Sequence, residues 1–423
     1  MEDHSQVGAT ARTMTTRAVS AVRELDRPLA LLAAMAFITQ LGVAVMLPLL
    51  PLYATQLGAS PTVLGLLTAA FGVTNAIGQL TGGFLAERFP ARRLVPTGIG
   101  VYAAANVLIA TAAAAVPLVA FRALAGLGAG LNQVAERLYV TQVTASARRA
   151  FANGVLSAAG AAGSVAGPAI GGLLAALSDL RVPFILVGFT SALATGAALF
   201  LPRPRRESVT ATPDLAGATD GMPALTAADA SDAPSTAPLA RRPLAILLVS
   251  NLALMSGFGA FITTYAPFAT ANLGWSKAEV GIVFSMFGLG SVALGPWLAR
   301  RADRTGRRRM AIVGVIPVVA FTLALALALP RPVLYATAIV GGGGLTAFEA
   351  SWFALLAGAT DDGRRGRAFG FVTAVSNLGI VVGAMLAAQA WELVDIRLGV
   401  ILPSISLALA GATLLAYPSD RRE

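Results

Sequence analysis

Few residues in this chain are equipped for chemistry. Of 423 residues, 12% are charged and 56% hydrophobic, Cys is absent, and the one His, His4, stands in a polar N-terminal stretch. Disulfides, thiolate metal sites and histidine metal sites are therefore excluded. No nucleotide loop or nucleophile constellation is present either. What remains is a small set of ionisable residues inside long apolar runs. Glu349 is the only acid placed well inside such a run with no basic neighbour. A carboxyl group in a low-dielectric site favours its neutral form, which suits reversible protonation coupled to transport. The alternative is a protonated Glu bonded to a neighbouring helix. Arg122 is costly at its depth unless it faces a wet cavity or an acid, or snorkels to the outer interface. At about 100° per residue, Arg122, Gly126, Gln133 and Glu136 share one helix face, expected to line a central cavity. Glu136 is a further coupling candidate, although Glu136-Arg137 also reads as a structural ion pair with the Arg88/Arg92 loop.

Polar residues within the apolar runs complete the candidates for that cavity. They are Gln40, Asn75, Gln79, Asn132, Gln133, Asn251 and Asn377, each equally able to serve as interhelical glue. Phe37, Phe258, Phe261, Tyr265, Trp352 and Phe353 are candidates for an aromatic lining.

The elements that must position these residues are membrane-spanning helices. Runs of about 20 apolar residues match a ~30 Å hydrocarbon layer. Spans are expected near 29–53, 61–86, 94–115, 117–140, 151–177 and 182–201, then 243–270, 276–298, 310–329, 332–358, 369–390 and 397–417. The 44 Gly suit close helix packing. The net charge of +10 is not a nucleic-acid footprint, because the Arg cluster in alternate connections. That asymmetry puts both termini (1–28 and 419–423) and the long linker 202–242 in the cytoplasm. With no cleavage-site pattern before it, the first span is expected to be an uncleaved anchor. The linker is rich in Ala, Thr, Asp and Pro and reads as flexible. It separates two six-helix bundles, 29–201 and 243–418.

The bundles repeat at a constant offset of 216 residues. Leu57, Gly58 and Ser60 match Leu273, Gly274 and Ser276; Gly65, Phe71 and Gly72 match Gly281, Phe287 and Gly288; Gly163 and Gly167 match Gly379 and Gly383. Six being even, the second bundle keeps the orientation of the first, which makes the repeat parallel.

Two loops and two helices carry a family resemblance. Gly83, Glu87, Arg88 and Arg92 after helix 2, and Asp303, Arg304, Gly306, Arg307 and Arg308 after helix 8, resemble the cytoplasmic loop signature of the major facilitator superfamily. The first copy departs from it, with Pro90 where the turn Gly is usual. An acid at such a helix end can latch to an Arg and release it when the halves rock. On helix 4, Arg122, Gly126, Gly128 and Gly130 resemble the basic motif of that family, and the resemblance implies a role for Arg122 in proton coupling. On helix 5, Gly154, Gly163, Gly167, Pro168, Gly171 and Gly172 match the signature associated with drug/proton antiporters of the superfamily. Gly163, Gly167 and Gly171 form a smooth stripe and Pro168 should bend the helix, as a rocking contact between halves requires.

The resemblance implies an all-α major facilitator fold of twelve helices. It implies a proton-coupled exporter of drugs, antibiotics or metabolites, working by alternating access without cofactor beyond the proton gradient. The expected partners are a small-molecule substrate, protons and the bilayer; the protein is expected to act as a monomer, not as an enzyme. Arg-rich and Ala-rich usage suggests a bacterial cytoplasmic membrane. An importer or uniporter of sugars or other metabolites and a non-transporting sensor on the same scaffold are the rival expectations. Helix 1 lacks an acid, which weakens an assignment to cationic drugs.

Overall fold

The computed structural model describes residues 27–144, 149–202, 241–360 and 365–418, without the side chains of 27, 28, 149, 150, 241, 299, 302–304 and 365–370. The expected N-terminal tail, the body of the linker, the C-terminal residues and the Asp303 and Arg304 side chains lie outside it. Among the described residues twelve helices are long and apolar enough to cross a membrane. They are α1 (Arg27–Gln56), α2 (Pro61–Arg88), α3 (Ala91–Thr111), α4 (Ala115–Val143), α5 (Arg149–Leu177) and α6 (Arg181–Leu199), then α7 (Arg241–Leu273), α8 (Lys277–Thr305), α9 (Arg307–Ala326), α10 (Arg331–Gly358), α11 (Arg365–Leu393) and α12 (Ile396–Thr413).

The repeat is physical as well as textual. Gly58 and Gly274 both turn with positive φ, +80° and +64°, which a side chain would resist. Each is followed by a Ser N-cap: Ser60 accepts from the Val63 N–H, and Ser276 forms a reciprocal box with Glu279. The turns after α2 and α8 differ. Gly306 takes φ +92°, whereas Pro90 in the first copy is extended, with φ −63° and ψ 136°. A proline ring holds φ negative, so the two loops reach the same place by different backbones.

Glycines decide which helices touch. In the first half Gly163 and Gly167 seat α5 on α1, Gly78 and Gly130 seat α4 on α2, and Gly98 and Gly128 join α3 to α4. In the second half Gly379 and Gly383 seat α11 on α7, Gly290 and Gly342 join α8 to α10, and Gly314 and Gly344 join α9 to α10. The pairings are the same, six helices apart.

Among the described residues the halves meet mainly through α2 with α11 and α5 with α8, and their closest approaches lie towards one end. A methyl group at Gly65 would lie 2.8 Å from Ala388 Cβ, and one at Gly172 would lie 2.6 Å from the Lys277 carbonyl. Gly83 stands eleven residues beyond Gly72, about three turns, and Gly154 stands eighteen before Gly172, about five. Both therefore lie on the same faces as the contacting glycines, yet neither has a neighbour within 4 Å among the described residues. The halves splay from the face that carries the 56–61 and 273–277 turns towards the Arg-rich face.

This packing predicts opposite outcomes for two similar substitutions. Gly342→Ala, driven against the Phe287 carbonyl, should destabilise by about 1–3 kcal/mol. Gly154→Ala, in open space on a helix, should be neutral or stabilising by up to about 1 kcal/mol. Thermal melts in detergent separate them.

Candidate functional site

Glu349 lies on α10 nine residues before its end at Gly358, about 14 Å from the Arg-rich face. Its helix carries it there through a run of glycines, Gly341 to Gly344, that lets α8 and α9 approach closely. The residue is half-buried, and its carboxyl group has no hydrogen-bond or ion-pair partner among the described residues. It sits in the part of α10 nearer the Arg-rich face.

Arg122 is placed differently. It lies seven residues into α4, about 10 Å from the closed face, and is 5% exposed. It does not snorkel. The guanidinium packs over the Phe71 ring at 3.9 Å from its centroid, Nη1 lies 3.6 Å from Met46 Sδ, and Nε has no partner. Arg122 lines a small cavity with Met46, Leu50, Leu64, Thr68 and, from the other half, Ile262. Thr68 and Thr263 close that cavity across the halves, their hydroxyls 3.3 Å apart. No carboxylate compensates the cation, so its cation–π contact carries what stabilisation there is.

The polar candidates fall into two groups. Gln79 donates to Asn75 (2.7 Å) and Gln133 (3.0 Å), and Asn75 donates to the Gly126 carbonyl, tying α2 to α4. Asn132 donates to Glu136 at 3.5 Å along α4, while Asn251 ties α7 to α11 through Ser376 at 2.7 Å. Gln40 is half-buried on α1 beside Gly160 of α5. Asn75, Asn132 and Asn251 are at most 6% exposed, and Asn75 and Asn251 join neighbouring helices. Two aromatic candidates are buried within the second half. The Tyr265 hydroxyl is spent on the Val280 carbonyl (2.9 Å) and its ring stacks on Phe261; the Trp352 indole donates to the Leu247 carbonyl (3.1 Å). Both are at most 2% exposed, because each polar tip found a backbone partner inside the second half.

The loop and helix-5 motifs are also divided. Glu87 and Arg88 are exposed and Arg92 is half-buried. Arg307 donates to the Ala354 carbonyl, and Arg308 donates to Leu414 (2.9 Å) and Leu415 (2.6 Å), capping the end of the last helix. On α5 the expected inter-half stripe is split by direction. Gly163, Gly167 and Gly171 face α1 of their own half, whereas Pro168 and Gly172 face Gly281 of α8. The stripe faces inward because α1 offers it a continuous backbone groove from Phe37 to Val45.

Four contacts that sequence reasoning missed hold the closed end. Glu392 of α11 accepts from the Thr62 N–H (3.0 Å) and from its hydroxyl, at the N-terminus of α2. Ser285 of α8 accepts from the Ala169 N–H, the residue after Pro168, at 2.9 Å. Lys277 donates to the Ala175 carbonyl at 3.2 Å, and Thr68 meets Thr263. Each partner lies more than 100 positions away, and no motif marks any of them.

Two parallel six-helix halves, built from twelve helices long and apolar enough to cross a membrane, define a multi-pass membrane protein. The chain belongs to the Major Facilitator Superfamily, whose model matches residues 32–269 and 247–423. It is 25% identical over 258 residues to the quinolone resistance protein NorA of Staphylococcus aureus (strain MSSA476), covering 60% of this chain and 61% of that one. It is likewise 25% identical over 253 residues to multidrug resistance protein 1 of Bacillus subtilis (strain 168), covering 59% and 60%. The chain thus aligns with about three fifths of the length of these relatives. Among solved structures, the nucleoside transporter NupG shares the fold with a TM-score of 0.74 at 13% identity, over 93% of this chain and 100% of that one.

The site geometry predicts a trade of function against stability. Arg122→Met removes a buried cation that lacks a counter-ion, so it should leave the melting temperature unchanged or raise stability by about 1–2 kcal/mol while abolishing transport. Parallel melts and transport assays check this. Glu392→Gln should weaken the closed end, and a single cysteine placed at Thr68 should then label faster with an outside thiol reagent than in the parent.

Proposed function

We propose that the chain is a proton-coupled exporter of small molecules, such as drugs, antibiotics or metabolites, working by alternating access. It would act as a monomer in a bacterial cytoplasmic membrane, with both termini and the linker in the cytoplasm. The observation that carries this reading is Glu349: a half-buried carboxyl group without a partner among the described residues, in the part of α10 nearer the Arg-rich face. Closing that side would trap an uncompensated charge in low dielectric, at a cost of several kcal/mol. Closure therefore requires Glu349 to be neutralised, by a proton or by a cargo that takes the proton's place. Competition for one carboxylate is the elementary form of antiport.

Arg122 complements this logic. Its unpaired cation lies under the closed end, where opening would let water in and relieve its desolvation. The charge thus favours the outward-open state, while the backbone contacts of α5 with α8 and α2 with α11 favour the closed one. Glu136, held by Asn132, is the remaining coupling candidate. The names of the two resistance relatives and the complete helix-5 pattern support export. The excess of Arg on the open face supports cytoplasmic termini, so the structure would face inward.

The test is cargo-induced proton release from proteoliposomes across a compound library. Wild-type protein should release protons and extrude cargo against its gradient; Glu349→Gln should keep cargo binding or exchange but lose proton release. Full proton-coupled export by that variant removes Glu349 from the mechanism. Net uptake driven by an inward proton gradient overturns export in favour of import.

A further inference from the structure

We infer that the closed face carries a second small-molecule site, a vestibule for an organic anion with an aromatic or otherwise apolar body, and that its occupation holds this face shut. The vestibule measures ≈ 370 Å³, within the range of small-ligand pockets. Its walls come from both halves: Leu52 and Gln56 of α1, Leu180 of the turn before α6, Pro267 of α7, Lys277 of α8 and Trp391 of α11. It is lined by the ends of α1, α7, α8 and α11, so both halves contribute to it.

Lys277 supplies the charge selectivity. One of its three N–H donors is spent on the Ala175 carbonyl at 3.2 Å, which fixes the ammonium at the junction and leaves two free. The nearest acid on its own helix, Glu279, does not neutralise it. That carboxylate is already engaged by the Ser276 N–H and hydroxyl and by Arg331 at 3.1 Å. Lys277 also opens α8, whose N-terminal dipole adds to its field. Trp391 supplies a half-buried ring whose N–H has no partner among the described residues. Leu52, Leu180 and Pro267 are buried and apolar. A cation, a free indole donor and an apolar floor match an aromatic carboxylate: carboxylate on Lys277, ring against Trp391.

Because the ligand would touch α1 and α5–α6 on one side and α7, α8 and α11 on the other, it binds only while the halves are together. Linkage then makes it stabilise the closed face and slow the cycle. This site is separate from Glu349 and does not depend on the direction or energy source of transport.

The test uses the purified full chain in lipid nanodiscs, titrated calorimetrically with naphthylacetate and with its neutral analogue naphthylacetamide. The acid should bind at least roughly tenfold more tightly than the amide. Lys277→Gln should erase that preference while the protein keeps a single cooperative melt, Lys277→Arg should retain it, and Glu349→Gln should leave it intact. Spin labels at Ser178→Cys and Val394→Cys, in a chain that has no other Cys, should report a narrower, shorter distance when the acid is added. Equal affinity for acid and amide, no binding of either, unchanged binding by Lys277→Gln, or loss through Glu349→Gln would each overturn the proposal. With no proton gradient present, those results leave the export reading where it stands.

Discussion

Inside a bilayer a backbone amide has no water to bond, and one greasy surface gains little by meeting another. The first condition makes every crossing segment a helix. The second leaves close backbone packing as the main force that joins helices. Glycine is the residue that permits it, and here its placement sets the architecture. Gly163 and Gly167 lock α5 to α1, Gly342 locks α10 to α8, and Gly383 locks α11 to α7. Two stiff six-helix bodies result. The contacts between them use the same device but occupy only part of the available faces, so the junction can separate without unpacking either body.

The closed end is held by a buried apolar cluster that runs through both halves, including Leu49, Leu50 and Leu64 on one side and Tyr265, Phe268 and Val283 on the other. Gly65, Gly172 and Gly281 give close approach, and four polar contacts across the halves add directional bonds. None of these is a buried ion pair, which would be costly to break and to remake. The Ala169 N–H directed at Ser285 shows how local disruption serves the interface. A proline at 168 disturbs the helical ladder, and the following amide turns to the neighbouring half.

Charge is distributed with the same economy. Arg122 and Glu349 lie in different halves and at different depths, one beneath the closed end and one beside the open end. They do not neutralise each other. Among the described residues neither has an ion-pair partner, so the burial of each charge is offset only by its immediate surroundings.

The twelve spans, the parallel repeat and the all-helical class were legible in sequence because they follow from run length, glycine spacing and an offset of 216, all of them local or periodic signals. Glu349 and Arg122 were legible because an isolated charge in an apolar run is conspicuous. Other features needed the tertiary structure. Tyr265 and Trp352 look the same in sequence whether their polar tips meet a cargo or a backbone carbonyl, and only packing placed them in the core. The glycines of helix 5 announced a smooth helix but not its partner; the groove on α1 took three of them and α8 took Gly172. Which face is shut, and that Glu392, Ser285 and Lys277 shut it, depends on pairings between residues more than 100 positions apart. A sequence determines what each helix can bury, whereas the balance between two rigid bodies decides which of those surfaces meet.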